Sequence, residues 1–101
     1  MKRRDASDQK ANELLFAVLA GINDPKQMES FMVDLCTPAE LEALADRWRT
    51  VPLIKEGMSY RTIHEETGVS VTTIGRVARH MSIGAGGYEV GLATHRRLGL
   101  G

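Results

Sequence analysis

The stretch SYRTIHEETGVSVTTIGRVARH, residues 59–80, leaves a chain few ways to fold. Ser59 can cap a helix from Tyr60 to about Glu66 that carries Ile63 inward, and Gly68 stands where a helix end needs a left-handed residue. Ser70 can cap a second helix, Val71 to about Met81, whose Ile74, Val77 and Met81 share one face at helical spacing. The expectation is a helix-turn-helix over residues 59–81, with Thr72, Thr73, Arg76, Arg79 and His80 on the other faces.

The same corner occurs in helical bundles that never touch nucleic acid, so the turn alone does not choose a function. The polar face says more. Ser70, Thr72, Thr73, Arg76 and Arg79 offer the short hydroxyls and forked cations that phosphates and base edges accept. No carboxylate lies between Glu66 and Glu89 to repel a phosphate backbone. The face favours DNA over a structural corner.

A formal net charge of zero stands at odds with that, but the charge is segregated. Up to Asp46 there are 9 acids against 5 bases; from Arg47 onward there are 8 bases against 4 acids. The motif lies in the basic part, as phosphate neutralisation requires, and the acidic part is expected to face away from DNA or toward a partner. In so short a chain such segregation also arises by chance.

At 101 residues the chain makes one domain, 1–101, small enough that a second copy is a natural way to complete its core. A hydrophobic fraction of 43% with a leucine-rich first half and no alternating pattern implies an all-α protein. The single Cys36 excludes an intrachain disulfide and is expected to be a small core residue; no Cys/His cluster suggests a metal, and no cofactor is implied. The N-terminal MKRRDASDQK has no apolar run behind its charges, and no segment is long enough to span a membrane. The cytoplasm, in association with the nucleoid, is the expected location. Residues 1–6 and 99–101 are expected to be disordered.

The rest reads as a string of helices. Ser7 or Asp8 can open the first, with Ala11, Leu14, Leu15, Val18 and Leu19 as its stripe and Gly21 and Asn23 as its stop. Asp24 and Pro25 can cap and start the second, carrying Met28, Phe31, Met32 and Leu35. Thr37, Pro38 and Glu40 form a capping box ahead of Leu41, Leu44, Ala45 and Trp48. The apolar pattern continues past Pro52, where a kink is expected, and stops at Glu56-Gly57. A last, frayed helix is expected around Tyr88, Val90, Leu92 and Leu98.

The run LCTPAELEALADRWRTV followed by GMSYRTIHEETGVSVTTIGRV and a downstream GGY resembles the Trp-repressor superfamily, and within it the Trp-repressor-like YerC/YecD branch. The resemblance spans most of the chain, and the LCTP signature joined to the motif at this separation is more specific than either part. It implies about six helices in an intertwined homodimer, a palindromic operator with half-sites about one DNA turn apart, and a regulator of transcription, expected to be a repressor.

The resemblance also assigns residues. In the true Trp repressor two arginines sandwich the indole of the corepressor and a threonine helps hold it; the matching positions are Arg47, Arg76 and Thr37. A glycine follows the second arginine there, whereas Val77 stands here, and its branched side chain is expected to project toward the indole's space. Tryptophan is therefore not the expected effector; either the recognition helices hold one pose without a ligand or a different small molecule fits. For Arg47 an ion pair with Asp46 or Glu42 is an equal alternative to ligand binding. The DNA-facing positions are Tyr60, Arg61 and His64 in the first motif helix, and Ser70, Val71, Thr72, Gly75, Arg76 and Arg79 in or beside the second. Arg61 and Ser70 are expected to hold phosphates, Val71 and Thr72 to meet bases, and Arg79 to reach the backbone or a guanine.

Catalysis is not expected, because His64, His80 and His95 are scattered and Cys36 has no evident activating partner. The rival is a helical dimer that binds proteins and has no DNA affinity.

Overall fold

The computed structural model describes residues 6–101, six α-helices with no strand among them. Of the segment expected to be disordered at the N-terminus, only Ala6 lies within the described residues, and it begins the first helix. The helices are α1 (Ala6–Gly21), α2 (Pro25–Leu35), α3 (Pro38–Lys55), α4 (Tyr60–Thr67), α5 (Val71–Ile83) and α6 (Gly87–Arg97). The chain divides into two compact units, the first ending at Leu41 and the second running from Glu42 to Gly101.

In the first unit the helix starts follow local chemistry. Asp24 caps α2 with a carboxylate oxygen that accepts the Gln27 N–H at 3.0 Å, and Pro25 occupies the first turn, where its missing N–H costs nothing. At the start of α3 the Thr37 hydroxyl accepts the Glu40 N–H at 3.1 Å while the Glu40 carboxylate accepts the Thr37 N–H at 2.8 Å. The capping box is complete. Neither α1 nor α2 buries a residue, and Leu14, Phe16 and Val18 are 56%, 63% and 48% exposed.

The second unit holds the core. One cluster joins Val51 of α3, Val77 of α5 and Leu92 of α6, with Trp48, Ile54, Met81 and Tyr88 packed around it. The other joins Ile63 of α4, Val69 of the turn and Ile74 of α5, with Leu53, Ile54 and Met58 around it. Ile54 belongs to both. Helix α3 is continuous across Pro52, and just upstream the buried Thr50 hydroxyl donates to the Arg47 carbonyl at 2.8 Å. It ends where the Gly57 N–H reaches the Ile54 carbonyl and the Met58 N–H reaches that of Leu53.

Helix α5 runs two residues past its expected end, to Ile83, and α6 is a regular helix from Gly87 rather than a frayed one. Leu92 explains the second difference, because one fully packed position anchors α6 against α3 and α5 although its periodicity in sequence is weak. Beyond α6 the Leu100 N–H donates to the His95 carbonyl at 3.2 Å.

Candidate nucleic-acid interface

Helices α4 and α5 start alike. Ser59 accepts the Thr62 N–H and Ser70 accepts the Thr73 N–H, each at 3.1 Å, and each serine hydroxyl donates to the threonine hydroxyl of the same turn. Between them Gly68 ends α4 in the left-handed conformation, φ 77°, and returns its N–H to the His64 carbonyl at 2.8 Å. A side chain at this φ is strained, so glycine is what lets the chain turn within three residues. Ile63, Val69 and Ile74 then close underneath, one from each part of the motif.

That packing fixes what faces outward. On α5 the exposed Val71, Thr72, Arg76 and Arg79 and the half-buried Gly75 recur at helical spacing on the side opposite Ile74 and Val77. Thr73 sits at the edge of this face, half-buried, its hydroxyl engaged by Ser70. Arg76 and Arg79 form no ion pair with any described residue. On α4 the exposed Tyr60, Arg61 and His64 share a face, where Arg61 donates to Glu65 at 3.2 Å. So exposed a pair is weak, and a phosphate can displace it.

His64 does something the sequence does not announce: its Nδ1 lies 2.7 Å from the Val69 carbonyl oxygen and ties α4 to the turn. Ser70, expected to hold a phosphate, spends its hydroxyl on the cap. A Cβ built on Gly75 meets nothing within 4 Å, so nothing inside the chain demands glycine there.

Of the expected ligand residues, Arg47 and Arg76 line one cavity of about 490 Å³ together with Trp48, His80, Tyr88 and the glycines 84, 87 and 91. Thr37 serves as the cap of α3. Arg47 has no ion pair among the described residues, since Asp46 pairs with Arg49 at 3.8 Å. Val77, expected to intrude on the ligand space, is 1% exposed and lies in the core against Val51 and Leu92. The aromatic surface in the cavity wall comes from Trp48 and Tyr88 instead, which periodicity alone reads as ordinary stripe residues. Among the described residues no three potential metal ligands gather, and no helix is long and apolar enough to cross a membrane.

The family model of the Trp repressor protein matches residues 10–96. The chain belongs to the Trp repressor family. Proteins of this family are DNA-binding regulators and not enzymes. The chain is 37% identical over 78 residues to the uncharacterized protein YerC of Bacillus subtilis (strain 168), covering 77% of this chain and 75% of YerC. Two crystal structures share the fold. A TrpR-like protein from Eubacterium eligens ATCC 27750 superposes with a TM-score of 0.79 at 33% identity, covering 90% of this chain and 91% of that one. A putative Trp repressor from Staphylococcus aureus does so with a TM-score of 0.79 at 30% identity, covering 91% and 89%. The sequence resemblance to Trp-repressor-like proteins of the YerC type thus holds along the chain and in its fold.

Proposed function

We propose that the chain is a sequence-specific transcriptional regulator, acting as a repressor, that binds a palindromic operator as a homodimer. The observation that carries this reading is the outward face of α5: Val71, Thr72, Gly75, Arg76 and Arg79 in register, with both arginines free of carboxylates among the described residues. In the major groove such a face sets Val71 and Thr72 against bases near the helix N-terminus, while Arg76, Arg79 and, from α4, Tyr60, Arg61 and His64 engage the backbone. The apolar residues left exposed on α1 and α2 support the dimer, because a second copy would bury them. Acting on DNA, the protein would work in the cytoplasm at the nucleoid.

The test is electrophoretic mobility of genomic fragments at low and moderate salt. Binding weakens steeply with salt, and Arg76→Ala or Arg79→Ala each lowers the salt slope by about 1. No salt-sensitive shift at all would sink the reading.

A small-molecule effector fits the cavity between Arg47 and Arg76, whose two cations suit an acidic group. A thermal-shift series across the amino acids tests this. The second reading, a protein-interaction module without DNA affinity, draws on the same exposed Leu14, Phe16 and Val18. It is favoured if the dimer forms and no DNA binding appears.

A further inference from the structure

We propose that His64 makes DNA affinity depend on pH, through a tautomer that the motif's own turn selects; this rests on the DNA-binding reading above. The Val69 carbonyl oxygen can only accept, so at 2.7 Å it must be Nδ1 of His64 that carries the proton. A neutral imidazole has one N–H, and here it is spent on the turn. Nε2 is left as a bare acceptor, on an exposed side chain, with no hydrogen-bond partner among the described residues.

His64 shares its face of α4 with Tyr60 and Arg61, so a phosphate seated there meets a lone pair when the ring is neutral. Protonation changes this without disturbing the fold. The charged ring keeps the bond to Val69 and gains an Nε2–H that can donate to a phosphate oxygen, a charge-assisted contact. The charged groups around it are compatible with that switch. Its own helix carries Arg61, Glu65 and Glu66, of which Arg61 and Glu65 pair with each other. Helix α5 brings Arg76, Arg79 and His80 and no carboxylate. From α3, Asp46 and Arg47 line a cavity of about 290 Å³ with Gly68, Val69 and Ser70. No carboxylate among the described residues bonds to His64, so a DNA phosphate supplies the counter-charge that favours the proton. Binding then takes up a proton, and affinity rises as pH falls.

The test measures fluorescence anisotropy of a labelled random-sequence duplex at pH 8 and pH 6. Wild-type affinity rises about tenfold per bound subunit on acidification, and the salt slope steepens by about 0.9 per subunit. In His64→Asn the amide N–H takes the place of Nδ1–H on Val69 but the side chain cannot gain a proton, so affinity at pH 6 falls about tenfold below wild type and the extra pH response disappears. A His64→Asn variant with the wild-type pH response would overturn the proposal, since the titrating group would then lie elsewhere. Nitrogen NMR of the free protein at high pH decides the tautomer independently of DNA: Nδ1–H is expected, and Nε2–H overturns the lock. Absence of salt-sensitive binding at both pH values removes the DNA reading itself, and the pH coupling with it.

Discussion

The indole of Trp48 occupies the space a side chain at position 91 would need: a Cβ built on Gly91 lies 2.7 Å from Cζ3 and 2.8 Å from Cη2 of the ring. Glycine is therefore the condition for α6 to lie against α3. In an exposed helix, replacing glycine by alanine stabilises by roughly 0.5–1 kcal/mol. Here the rigid ring must move instead, so Gly91→Ala is expected to destabilise by about 1–3 kcal/mol, the usual cost of overpacking. Urea unfolding measures the loss, and the fluorescence of Trp48, the sole tryptophan, shifts with it.

Gly75 is the opposite case. With nothing within 4 Å of a built Cβ, Gly75→Ala is expected to raise stability by up to about 1 kcal/mol. If α5 lies close against DNA, the same methyl lowers affinity, so the variant is more stable and binds more weakly. Thermal melts and anisotropy titrations on one preparation separate the two effects.

Ser70 holds the first turn of α5. Ser70→Ala removes the acceptor for the Thr73 N–H and is expected to cost about 1 kcal/mol of stability. Ser59→Ala removes the matching cap of α4 at a similar cost. Chemical denaturation gives both values, and on the proposed DNA reading the affinity of Ser70→Ala falls as well, because its cap orients the end of α5 that would meet the bases.

Glu40 makes the capping box sensitive to acid. The Thr37 backbone N–H, and after it the Thr37 side chain, hold the Glu40 carboxyl below the usual carboxylate range, against a small opposing effect of desolvation. A depressed folded-state value means that this contribution is present above the ordinary glutamate value, about 4.3, and is lost as pH falls through the depressed one. The melting temperature of wild type is therefore expected to exceed that of Glu40→Gln at neutral pH, with the gap closing in acid. A gap that persists unchanged under acid rules out the carboxylate as its source.

The elements that could be read in the sequence are those whose determinants are adjacent. Asp24-Pro25, Thr37-Pro38 with Glu40, and the paired serine caps around Gly68 each use side chains within three or four residues of the backbone groups they serve. The outward face of α5 follows from the same short-range periodicity. Distant pairs left no such trace. Nothing around Trp48 indicates that its ring will rest on Gly91, so the periodicity of α6 alone describes a weaker helix than the packed one. The expectation that Val77 enters the ligand space came from resemblance at one position, whereas burial against Val51 and Leu92 depends on how three helices meet. The bond from His64 to Val69 is close in sequence, yet it required the direction of the carbonyl after a left-handed turn.

Ile54 is packed against both apolar clusters of the second unit, the one beneath Trp48 and Tyr88 and the one inside the α4–α5 turn. One aliphatic side chain thus serves two walls, and neither can be repacked without the other registering the change in volume. A molecule that pushed on the Trp48 wall would need no long relay to alter the presentation of α5. It would act through a single shared neighbour, so if the cavity takes a ligand, a conservative exchange such as Ile54→Val is expected to change that ligand's effect on DNA affinity, read by anisotropy, more than it changes either affinity alone.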